Sequence, residues 1–136
     1  MIKASLVVES RELTLAEISA ALARRPDSGY DRGSLAPVTK TPRQWTSWAM
    51  DLVWPDGVHG GTDGLASAIE SLGQPLAERA TQLAEQGCNV VISVCQELAD
   101  APGSVGLNLT PAAVRWIAAA GAAVAVDQYV VDSGAS

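Results

Sequence analysis

Asp56-x-x-His59-x-x-x-Asp63 brings two carboxylates and the only histidine of the chain within eight positions. An imidazole between carboxylates can bind a metal ion or pass a proton. No second histidine completes a ligand set, and Asp63 is placed to cap a helix. The spacing therefore reads as a solvated turn followed by an N-cap, and no metal is expected. Cys88 and Cys95, the only two cysteines, fall on one strand with six residues between them. At that spacing they point to opposite faces and cannot bridge, so free thiols in a reducing cytoplasm are expected. Gly57-Val58-His59-Gly60-Gly61 lacks the lysine and spacing of a phosphate loop, and Gly103-Ser104-Val105-Gly106 lacks the strand-Ser-helix context of a nucleophile elbow. No cofactor is implied.

A stronger constellation comes from strand parity. If Ile2, Ala4, Leu6 and Val8, with Trp48, Met50 and Leu52, Val90, Ile92 and Val94, and Val124, Val126 and Val130, face a helical layer, the other sheet face must carry the alternate residues. Those include Lys3, Ser5, Val7, Glu9, Trp45, Ser47, Asp51, Val91, Ser93, Cys95, Asp127 and Tyr129. Aromatic anchors among carboxylates and hydroxyls suit a binding surface, and we take Glu9, Trp45, Ser47, Asp51, Ser93, Asp127 and Tyr129 as its candidates. Trp45 is expected outward, beside Asp51 and Tyr129, and Trp48 inward. The alternative is that the middle helices or a second subunit cover this face. Asp51 and Asp127 are the candidate acid/base pair in an enzymatic reading.

The elements that must position these residues follow from periodicity and punctuation. Residues 2–9 alternate as a half-buried strand rather than a signal peptide. Thr14-x-x-Glu17 is a capping box, with Leu13 and Ile18 as its hydrophobic staple, and the helix ends at Arg24-Arg25-Pro26. Residues 27–42, dense in Gly, Pro, Ser and Asp, read as a partly mobile loop. A second strand spans 43–54 and turns at Pro55-Asp56-Gly57. Residues 63–86 are helical but broken at Gly73-Gln74-Pro75. Cys88 to Cys95 is the candidate central strand, Asp100 to Gly106 a loop, and Ala122 to Val131 the last strand. Leu109-Thr110-Pro111 starts another capped helix with Val114 closing its staple and Trp116 in the core.

The 136 residues suit a single domain able to bury its own core. The order of elements predicts an α+β fold: a ferredoxin-like, split βαβ antiparallel four-stranded sheet, helices on one face, and an extra broken helix inserted between the two halves. Nine basic against fifteen acidic residues give a net charge of -6. With Lys40 and Arg43 the only mildly basic stretch after the first helix, nucleic acid is not an expected partner. The longest uncharged apolar stretch, Trp116 to Val126, falls short of the ~20 residues a membrane span needs.

The chain resembles the bacterial domain-of-unknown-function family 4279 over nearly its whole length. The resemblance rests on Glu9-Ser10, Leu13-Thr14-x-x-Glu17-Ile18, Pro26, Asp31-Arg32-Gly33, Ser47-Trp48, Leu109-Thr110-Pro111 and the run from Ile117 to Tyr129. It implies a fold and a bacterial origin. The family has no assigned reaction, so the resemblance transfers no catalytic residue.

Three functions are compatible with these features. The first is a small cytoplasmic binding module, such as an immunity-type inhibitor whose acidic surface masks a basic protein partner. The second is a cofactor-independent enzyme doing acid/base chemistry on a small molecule at the open sheet face. The third is a homodimeric structural domain that pairs those faces. A deep pocket holding Asp51 or Asp127 favours the enzyme, and a flat exposed face the inhibitor.

Overall fold

A computed structural model describes residues 2–54, 59–60, 62–99 and 106–131. The chain order is β1 (Ile2–Ser10), α1 (Leu15–Leu22), β2 (Ser28–Tyr30), β3 (Thr46–Asp51), β4 (His59–Gly60), α2 (Thr62–Glu70), α3 (Gln74–Glu85), β5 (Asn89–Ala99), α4 (Pro111–Ala119) and β6 (Ala123–Val131). The sheet runs β2-β3-β1-β5-β6, with β4 pairing the start of β1. Every pairing is antiparallel except β5 with β6, which is parallel.

The alternation of β1 is the clearest sequence-to-structure link: Ile2, Ala4, Leu6 and Val8 are 0–1% exposed, while Lys3, Ser5, Val7 and Glu9 face away from them. One hydrophobic cluster joins that buried side to Trp48 of β3, Ile92 of β5 and the inner faces of all four helices. Two glycines allow this closeness. A Cβ on Gly29 would meet the Ser47 carbonyl oxygen at 2.5 Å and Leu15 at 2.9 Å, and one on Gly64 would run into the Trp54 indole.

Both Thr-capped helices start as expected. Thr14 Oγ1 accepts the Glu17 N–H at 3.1 Å and the Glu17 carboxylate accepts the Thr14 N–H at 3.1 Å, closing the box. Thr110 Oγ1 accepts the Ala113 N–H at 3.1 Å. Ile18 is buried as the α1 staple requires, but Val114 is 51% exposed, so its staple is not closed. The break between α2 and α3 falls at Gly73, the N-cap of α3 at φ 87°, whose carbonyl accepts the indole N–H of buried Trp116 at 2.8 Å.

The sheet corrects four expectations. The second strand is shorter than 43–54. Within the presumed loop, Ser28–Tyr30 pairs with β3, and the excursion that follows is tied by Gly33 N–H to the Arg43 carbonyl at 2.8 Å and Arg43 N–H to that of Ser34 at 2.9 Å. This unforeseen strand reverses the chain once more, so β3 lies beside β1 and antiparallel to it. The central strand is β1 rather than β5, because it stands third in the five-strand order with two strands on either side of it. Finally, the four strands read from sequence do not form an all-antiparallel sheet: α4 is a crossover returning β6 parallel to β5. Val124, Val126 and Val130 do share the helix side, yet they remain 41%, 42% and 64% exposed on β6, the edge strand of the sheet. The turn at Pro55-Asp56-Gly57 and the expected loop at 100–105 fall outside the described residues.

Candidate binding face

The face opposite the helices is built in rows by strand register. Asp51, Ser5, Ser93 and Ala125 form one row across β3, β1, β5 and β6. Ala49, Val7, Val91 and Ala123 form the next, and Ser47, Glu9 and Asn89 the one beyond, with Tyr30 of β2 beside Ser47. In the other direction come Lys3, Cys95 and Asp127, then Glu97 and Tyr129. The middle of the face is therefore a flat shelf of small side chains with charged groups around it.

The parity argument places Glu9, Ser47, Asp51, Ser93, Asp127 and Tyr129 on this face, as expected. It does not bring the carboxylates together. Asp51 and Asp127 stand on strands three spacings apart, roughly 14 Å, and Glu9 lies about 13 Å along the strands from Asp51's row. No acid/base pair forms from them. Instead, the Asp51 carboxylate accepts the Ser5 hydroxyl at 3.0 Å, and its backbone N–H donates to Asp27 at 2.7 Å. The Tyr129 hydroxyl donates to Glu97 at 2.9 Å, and this bond, with lesser contributions from desolvation and Cys95, pushes its pKa from 10.0 up to about 12. Cys88 and Cys95 are both free thiols, the former buried and the latter half-buried.

Trp45 departs from its expected surroundings. It precedes β3, at the opposite end of that strand from Asp51, and Tyr129 lies on the far edge of the sheet. Its neighbour is Arg11, whose guanidinium carbon lies 4.2 Å from the ring centroid. Arg32 donates to the Arg11 carbonyl, and Arg43 stacks 3.9 Å over Tyr30. Arg11, Arg32, Arg43, Tyr30 and Trp45 thus make a basic, aromatic end to the face. The residues come from three separate segments, so reading along the chain picked out Arg43 and Trp45 singly but not their grouping with Arg11 and Arg32. No local pattern marks their meeting: Arg32 lies in the turn past the end of β2 and reaches the Arg11 carbonyl only in the folded chain.

His59 pairs through its backbone with Lys3, as part of β4 rather than a turn. The ligand trio with Asp56 and Asp63 lies outside what the structure describes in side-chain detail. Among the described residues no group of three or more His, Cys, Asp or Glu side chains is arranged to hold a metal ion, and no helix is long and apolar enough to cross a membrane.

Searches of curated proteins and of solved structures find no match to this chain. The family model for the domain of unknown function DUF4279 matches residues 1–131, and the chain belongs to that family.

Proposed function

We propose that this chain is a small binding module that engages a protein partner through its open sheet face, in the manner of an immunity-type inhibitor. The observation that carries the reading is the shape of that face: a flat shelf of Ser, Ala and Val, open among the described residues, with Glu9, Asp51, Glu97 and Asp127 around it and no two of Glu9, Asp51 and Asp127 within reach. Flat surfaces with separated charges suit macromolecular recognition, whereas acid/base turnover of a small molecule needs convergent groups in a concavity. The carboxylates favour basic groups on the part of the partner that lies over the shelf, whereas Lys3 and the arginine-bearing end call for acidic groups beside them. The antiparallel β2-β3-β1-β5 part reads as a ferredoxin-like unit to which α4 and β6 are added. The family resemblance supports a bacterial origin, and the two free thiols support work in the cytoplasm.

The test is to co-purify the chain with each basic protein encoded beside its gene and to measure the complex by calorimetry. A complex weakened by Asp127→Lys and Glu9→Lys but not by Glu85→Lys on α3 is expected. A complex indifferent to both face reversals, or no complex with any neighbour, overturns the reading.

A further inference from the structure

At the arginine-bearing end of the sheet, the turn after β1 and the turn before β5 stand apart and leave a cleft of about 570 Å³. It is lined by Ser10, Arg11, Glu12, Leu13 and Trp45 on one side and by Gln86 to Asn89 on the other. That volume lies in the range of small-ligand sites.

The walls are fixed by bonds that do not use the cleft's own chemistry. Buried Ser10 accepts the N–H groups of Glu12 and Leu13 at 3.1 and 3.0 Å through its hydroxyl oxygen, and Arg32 fastens the Arg11 carbonyl. Across the cleft, Gly87 has φ +94°, and a Cβ there would meet no atom within 4 Å, so the backbone borders open space.

The Arg11 side chain is stacked on Trp45 but has no hydrogen bond or ion pair among the described residues. Stacking holds the guanidinium plane while leaving its N–H edge available, and that edge matches a two-oxygen acceptor. Leu13, Trp45 and the buried Cys88 supply an apolar lining, and Gln86 and Asn89 supply amides. Glu12, a carboxylate on the same wall, disfavours a ligand with several negative groups.

We propose that this cleft binds a small organic acid bearing one carboxylate or one phosphoryl group, with the oxyanion on Arg11 and the apolar body against Leu13 and Trp45. The site is separate from the flat shelf of the partner-binding reading and does not depend on it.

Titration of the full chain with benzoate and phenyl phosphate, and with neutral benzamide and benzyl alcohol, tests the assignment by tryptophan fluorescence and NMR. Saturable binding of at least one acid and not of the neutral compounds is expected, and the acid that binds identifies the oxyanion. Arg11→Gln should weaken that binding about tenfold or more, while Arg115→Gln on α4 should leave it unchanged. Trp45→Phe should remove most of the fluorescence response while NMR still reports binding. Thermal melts establish that the variants remain folded. Saturation by neither acid, equal binding of the neutral compounds, or unchanged binding in folded Arg11→Gln overturns the proposal.

Discussion

Trp45 and Trp48, three residues apart, stand in opposite surroundings, one in the core within β3 and the other half-buried just before that strand. Trp48 is fully buried, and its indole N–H donates to the Ser19 hydroxyl at 3.2 Å, tying β3 to α1. Trp45 is half-buried beneath Arg11, before the strand begins. Trp48→Ala should cost roughly 3–5 kcal/mol, because it empties a large core site and orphans a hydroxyl partner. Trp45→Ala should cost about 1 kcal/mol, since its burial is partial and its one ring contact is with an exposed side chain. Denaturant melts of the two variants check the order, and a larger loss from Trp45→Ala would invert the parity on which the open face rests.

The two Thr caps should differ in how their losses combine. Thr14→Ala removes one half of a reciprocal pair, so both it and Glu17→Ala should cost on the order of 1 kcal/mol, and the double variant clearly less than the sum. Thr110 also donates to Glu70 at the end of α2, so Thr110→Ala loosens the α2–α4 contact as well as the α4 start. Its loss should equal or exceed that of Thr14→Ala in the same melts.

Tyr129 gives a pH signature. Its folded pKa, raised from 10.0 to about 12, means that between those values the folded state retains a proton that the unfolded state has lost. The contribution is complete below pH 10 and disappears as pH rises toward 12, so stability falls across that window. Ultraviolet titration should show this delayed phenolate step, and Glu97→Gln should return it toward 10, because the carboxylate acceptor is its principal cause.

What was legible in the sequence and what was not divide along a physical line. The strand parity of Ile2 to Glu9, the Thr caps, the Gly73 break and the buried Trp116 are local consequences of side-chain period and backbone chemistry, readable within a dozen residues. Ser28–Tyr30 carries no alternation and has a glycine at its centre. It is a strand only because β3 lies beside it and because Asp27 bonds Ala49 and Asp51 through backbone and carboxylate. The parallel direction of β6 is likewise a decision of tertiary packing, since no residue within it specifies its neighbour's orientation. The same holds for the candidate sites. Which residues share the open face followed from parity, but Arg11 meets Trp45 only after two strands have paired.

β6 has a consequence for motion. Among the described residues it is bonded to β5 alone, and every residue from Ala123 to Val130 is exposed, so detaching it gives up one ladder and little buried apolar area. β1 is paired along both edges, and its helix-side residues are almost wholly excluded from water. The opening free energy is therefore graded across the sheet, lowest at β6 and approaching the global value at β1. Amide protons along β6 exchange through fraying of that one strand, whereas those at the middle of β1 wait for the whole domain to unfold.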